Sequence, residues 1–224
     1  MTKIEKFEEH LIKDGITEND LYEYEKLLKK SSGNFNRLQH CYTTAIQFPE
    51  ERSEDAIRLI EWGLEKYPDT GGSICTAYCR LGDICEKCGK YKKAYDSYLK
   101  AANSLDEDDE ESYQSLSGNL LWMLLHIDKF TYSEQLEEYY NSFNRIDEFE
   151  KAFINNEYRL NIAEIVIYTH HKMMDKAEQA YHNAIKLSSP DAVSKLQEIL
   201  TPHGAKDALR STPECARFLK SLKM

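Results

Sequence analysis

An all-α chain of stacked helical hairpins is what the sequence predicts, and three observations carry the prediction. Glycine and proline are scarce, nine and five among 224 residues. That is about half their usual share, so the many turns of a sandwich or barrel lack the residues that make them. Apolar residues recur at helical spacing along almost the whole chain. One stripe of small, large and small residues at i, i+4 and i+7 returns several times. With 41% hydrophobic and 30% charged residues, the composition suits a packed core under a solvated exterior and excludes low-hydrophobicity disorder.

The elements follow in order. Met1 to His10 is charged throughout with no apolar run. The expectation is no secretory signal and a cytoplasmic protein. Helices over about 3–14 and 18–30 cap the N-terminal end, the second opened by Thr17 ahead of Glu18 and Asp20. Ser53 before Glu54-Asp55 and Ser133 before Glu134 carry the same N-cap pattern. The recurring stripe is Ala56-x3-Ile60-x2-Gly63, then Ala94-x3-Tyr98-x2-Ala101 displaced by 38 residues, then Ala177-x3-Tyr181-x2-Ala184. A looser copy is Leu136-x3-Tyr140-x2-Phe143. Small residues on such a stripe let neighbouring backbones approach. Tyr113 to Leu125 is apolar nearly all round and reads as a buried central helix. The uncharged stretch 112–127 that contains it has 16 residues, short of the about 20 that span a bilayer. Pro190–Leu200 and Pro213–Lys223 cap the C-terminal end, broken by Pro202-His203-Gly204. No Ser/Gly-rich linker interrupts the chain, which reads as one domain over 1–224: capping helices in 1–34, repeat hairpins in 35–189 and capping helices in 190–224.

The best-formed unit runs Tyr78-x2-Leu81-Gly82-x2-Cys85, then Gly89-Lys90-Tyr91-Lys92-Lys93, then Ala94, Tyr98 and Ala101. This resembles the tetratricopeptide repeat (TPR) family, whose first helix carries an aromatic, Leu-Gly and a large residue, and whose second carries Ala, an aromatic and Ala. Residues 73–106 match on both helices, 38–68 and 148–189 on the second helix only, and 111–147 is degenerate. The resemblance implies a TPR-like α-solenoid of about four helical hairpins with extra capping helices at both ends. Such hairpins bury their apolar stripes only by stacking on neighbours. It also implies a groove lined by the first helices. There the best unit presents Cys79, Asp83 and Glu86, with Gln114, Gly118 and Trp122 on the next first helix and Tyr42 on the previous one. Family members that clamp a peptide carboxylate present Lys, Arg and Asn on that face. This chain presents two acids, which implies a basic ligand instead.

Charge points the same way. The chain carries −10 overall. Residues 106–157 hold 14 Asp/Glu against Lys129, Arg145 and Lys151, a net −11, so everything else sums to +1. The run Asp106 to Glu111 lacks the glycine and alternation of a calcium loop and precedes a helix beginning near Glu110, where acids favour the positive end of the dipole. The excess continues through Glu134, Glu137, Glu138, Asp147, Glu148 and Glu150. A field of one sign over several turns concentrates a basic partner and repels nucleic acid.

Reactive constellations do not assemble. Cys75, Cys79, Cys85 and Cys88 fall on one helix, where Cys75 and Cys88 stand about 20 Å apart at 1.5 Å rise and cannot share a zinc ion. Adjacent His170 and His171 cannot share a helix face, and no His-Glu-x-x-His, Gly-x-Ser-x-Gly or phosphate-cradling loop is present. Six cysteines without an export signal are expected to be free thiols. No catalytic, cofactor or metal site is expected. The reading is a non-catalytic, adaptor- or inhibitor-type protein that holds a basic protein partner. Its candidate contacts are Tyr42, Cys79, Asp83, Glu86, Gln114, Trp122, Glu134, Glu137 and Glu138. An immunity protein masking a basic toxin is one form this could take. The alternatives are a regulator that binds a short peptide in the groove and an enzyme using Cys/His chemistry between repeats.

Overall fold

A computed structural model describes residues 1–30, 33–68, 72–127, 132–151 and 153–187. The helices expected in 190–224 lie outside the described residues, as do Cys215 and His203. Among the described residues there are eleven α-helices, one 3₁₀ turn and no strand, as the turn-former deficit requires. The chain forms two compact units, Met1–Asp109 and Glu110–Met224.

The first unit opens with α1 (Lys3–Asp14) and α2 (Glu18–Leu28). Each begins with a capping box: Thr2 with Glu5, and Thr17 with Asp20, exchange side-chain and backbone hydrogen bonds. Helices α3 (Gly33–Ala45) and α4 (Ser53–Lys66) pack together, as do α5 (Gly72–Lys87) and α6 (Tyr91–Ala102). The expected start at Ser53 takes a different form. A 3₁₀ turn over Glu50–Arg52, set by Pro49 at φ −65°, runs straight into α4, so Ser53 is already helical and caps nothing.

The repeating stripe is the seam of each pair. Ala56, Ile60 and Gly63 are buried on α4, and Ala94, Tyr98 and Ala101 on α6. The small positions are small because a neighbour occupies the space. A Cβ on Gly63 would lie 2.8 Å from Cys41 Cβ, and one on Gly82 would lie 2.5 Å from Tyr98 Cε1. Gly89 serves a different purpose: at φ +70° it takes the left-handed conformation that turns the chain from α5 toward α6.

A polar network is folded into this unit. Glu8 accepts from Tyr24 Oη at 2.7 Å and meets His40 Nδ1 at 2.8 Å. Burial pushes the Glu8 carboxyl up, but the hydrogen bonds from His40 and Tyr24 outweigh it and leave Glu8 below its ordinary value. The same bond to Glu8 holds His40 above its ordinary value.

The second unit contains α7 (Glu110–Ile127), α8 (Glu134–Phe143), the single-turn α9 (Glu148–Lys151), α10 (Ile154–His170) and α11 (Met174–Leu187). Helix α7 packs on α8 and α10 on α11. Ser133 caps α8 as expected, accepting from Leu136 N at 3.2 Å. Leu116, Leu120, Leu121, Met123, Leu124 and Leu125 are buried, so α7 is a core helix of the unit, packed chiefly on α8. Gly118 repeats the Gly82 contact, its Cβ position lying 2.5 Å from Phe143 Cε2. Ala177, Tyr181 and Ala184 are buried on α11.

Candidate interaction surface

The candidate residues divide between the two units. In the first, Cys79, Asp83 and Glu86 stand on one face of α5, as i, i+4, i+7 spacing dictates. They are not idle surface groups. The Tyr98 hydroxyl lies 2.9 Å from Asp83 Oδ1 and 3.1 Å from Glu86 Oε2, and its one proton is shared between the two carboxylates. Burial, with these acids behind it, pushes the Tyr98 hydroxyl far above its ordinary pKa. Asp83 also takes a hydrogen bond from Arg80 at 3.1 Å. The two acids therefore orient the α6 aromatic that fills the space over Gly82. Burial pushes the Cys79 thiol up to about 12, with Cys75 beside it, and the Cys85 thiol up to about 11. Tyr42 is 8% exposed on α3 and belongs to the core, so its ring offers little area to a partner.

In the second unit, Glu134 and Glu138 are exposed on α8, while Glu137 is half-buried. Glu137 accepts from the Tyr132 hydroxyl and lies 3.5 Å from His171 Nε2. The Tyr132 bond holds its carboxyl below the ordinary range. His170 stacks on Tyr132 with ring centroids 3.5 Å apart, and His171 meets the same ring edge-on at 5.6 Å. The two imidazoles were expected not to share a face. They converge because α10 ends at His170 and His171 is its C-cap, leaving the helical path. Spacing rules for a continuous helix gave no sign of this cluster.

Trp122 is half-buried. It lies against His126 and Tyr158 with centroids 4.5 and 6.1 Å away, and the Arg159 guanidinium stands over its ring at 5.6 Å. Arg159 also donates to Asn119 Oδ1 at 2.9 Å. Beside this packing is a cleft of about 610 Å³. Ser112, Gln114, Ser115 and Asn119 of α7 line it together with Asn156 and Arg159 of α10, and the segment from Phe143 through Glu150 completes the wall. Gln114 thus reaches a real concavity, and Trp122 supports the neighbouring Arg159. The lining mixes amides, hydroxyls and both signs of charge, a surface that suits polar main chain better than an apolar molecule.

The comparisons with known proteins agree with this architecture. The tetratricopeptide repeat family model matches residues 76–107, the α5–α6 hairpin and the turn after it. No curated protein matches the chain. Among the described residues no helix is long and apolar enough to cross a membrane. Residues 76–107 therefore carry a tetratricopeptide repeat, set in an all-helical chain whose other helical pairs give it a TPR-like fold.

Proposed function

We propose that this is a non-catalytic binding protein, of adaptor or inhibitor type, that holds a basic protein partner through the acidic surface of its second unit. The repeat match supports a protein-interaction role. The observation that carries the finer reading is the placement of the acids: Glu111, Glu134, Glu138, Glu148 and Glu150 are all exposed. Exposed charge of one sign speeds encounter with a positive surface and steers its approach. An immunity protein that masks a basic toxin is one member of this class. Cys41, Cys75, Cys79, Cys85 and Cys88 are free thiols, which supports a reducing compartment, and we assign the protein to the cytoplasm.

The cleft beside α7 supports a second reading, a regulator that takes an extended peptide. Cys79 and Cys85 are poorly suited to a nucleophilic role, because burial pushes them up to about 12 and about 11 and a nucleophilic thiol needs the opposite shift. The test is affinity purification from the native cell at low and high salt with mass spectrometry. A stoichiometric basic protein released by salt is the expected result. A partner without a basic surface, retained in high salt, would refute the proposal.

A further inference from the structure

Two phenylalanines of the second unit sit where apolar rings are not usually left. Phe149 is 74% exposed and Phe153 is 51% exposed. Their rings meet edge to face with centroids 5.4 Å apart, so they form one aromatic knob. Exposed Asp147, Glu148 and Glu150 share its stretch of chain. Asp147 and Glu150 also line the cleft, to which α7 adds Glu111. The neighbouring cations already have partners. Arg145 reaches Glu110 at 3.6 Å, Lys151 pairs with Glu148 at 2.9 Å, and Arg159 is held by Asn119 and Trp122. Among the described residues neither Glu111 nor Glu150 meets a cation.

We propose that the Phe149–Phe153 knob, with the carboxylates of Asp147 and Glu150, is the docking point for an arginine-bearing segment of the partner. The inference rests on the basic-partner reading above and says where and how that partner is held. A guanidinium is planar and weakly hydrated, so it can lie on a phenyl face while its N–H fork reaches a carboxylate. Lysine offers a point charge with a tighter water shell and gains less from the ring. The cleft amides of Gln114, Asn119 and Asn156 are placed to receive the main chain of such a segment. A second copy of this chain is a poor occupant, because a two-fold contact would set Asp147, Glu148 and Glu150 against their own counterparts.

The test uses the full chain and fluorescein-labelled peptides. Each has nine residues with three Arg, three Lys or three citrulline spaced by Gly and Ser, and fluorescence anisotropy is read at low ionic strength. The Arg peptide is expected to bind most tightly and the citrulline peptide about tenfold or more weaker, since it loses the charge but keeps the shape. Phe149→Ala with Phe153→Ala is expected to weaken Arg binding by about fivefold and to erase the preference for Arg over Lys. Phe149→Leu with Phe153→Leu keeps the apolar bulk and is expected to lose the same preference, which guards against an effect of misfolding. Arg binding that these substitutions leave unchanged, but that Glu134→Lys with Glu138→Lys abolishes, would overturn the docking point while leaving the basic-partner reading intact. No saturable binding of either cationic peptide would overturn both. A concentration-dependent dimer in sedimentation, abolished by the alanine pair, would overturn the inference in favour of self-association.

Discussion

Gly82→Ala is the sharpest test of why the repeat stripe has small residues where it does. On an unobstructed helix the change is favourable by about 0.5–1 kcal/mol, because alanine loses less backbone entropy. Here the new Cβ would stand 2.5 Å from Tyr98 Cε1 and 2.7 Å from both Cδ1 and Cζ. An ordinary carbon contact is about 3.5–4.0 Å, so one partner must move by about 1 Å. The ring is poorly placed to do so: Tyr98 is fully buried and its hydroxyl is held between Asp83 and Glu86. Overpacking of this kind costs about 1–3 kcal/mol. Set against the helix gain, the net expectation is a destabilisation of about 1–2 kcal/mol, read as a lower urea midpoint by circular dichroism with an unchanged slope. The double-mutant cycle decides the cause. In a Tyr98→Leu background the obstruction is gone, and Gly82→Ala should become neutral or stabilising by up to about 1 kcal/mol. If Gly82→Ala stabilises the wild-type chain as much as the Tyr98→Leu chain, the close approach is not what selects glycine here.

Gly118→Ala should behave alike in the second unit, costing about 1–2 kcal/mol of stability, read as a lower urea midpoint, and recovering when Phe143 is shortened to Val. The Glu8–His40 pair should make stability depend on pH in a defined window. With Glu8 depressed from 4.5 and His40 raised from 6.5, the contribution is complete between those values. It is lost as pH falls through the Glu8 value and as pH rises through the His40 value, and Glu8→Gln should flatten the profile of thermal midpoint against pH. Because burial raises Cys79 to about 12 and Cys85 to about 11, both should alkylate more slowly with iodoacetamide in the folded chain at pH 7.5 than in urea, as followed by peptide mass spectrometry.

What was legible in the sequence was whatever repeats along one helix. The stripes at 56, 94 and 177 are buried seams, because a period of 3.6 sorts residues by face whatever surrounds the helix. The Thr17 and Ser133 caps were legible for the same reason, a cap being a local exchange of hydrogen bonds. What was not legible depends on chain returning from elsewhere. Glu8 meets His40 across 32 positions, and Tyr132 meets His170 only because α10 stops where it does. The candidate site was half legible. Spacing put Asp83 and Glu86 on one face correctly, but it could not show that Tyr98 already occupies them. Phe149 and Phe153 were invisible because an apolar pair four apart reads as core, and only the fold exposes it.

That distinction gives the acidic surface its own test. A carboxylate engaged within the fold and one free to meet a partner contribute the same charge to the sequence, yet their removal has different consequences. Glu137 is tied to Tyr132 and approaches His171, whereas Glu138, one residue on, is exposed and makes no such bond among the described residues. Glu137→Gln should therefore cost the about 0.5–1 kcal/mol that a partly exposed polar cluster supplies, read as a lower thermal midpoint. Its effect on binding should be no larger than that of one lost charge. Glu138→Gln should change stability by no more than about 0.5 kcal/mol and leave the midpoint nearly where it is, and should slow association with a cationic partner, most visibly at low salt. Stopped-flow association of the two variants with the triple-Arg peptide, beside their melting curves, separates the roles. If Glu138→Gln moved the melting curve and left the association rate unchanged, the excess of acid in this unit would be a property of its folding rather than of its binding.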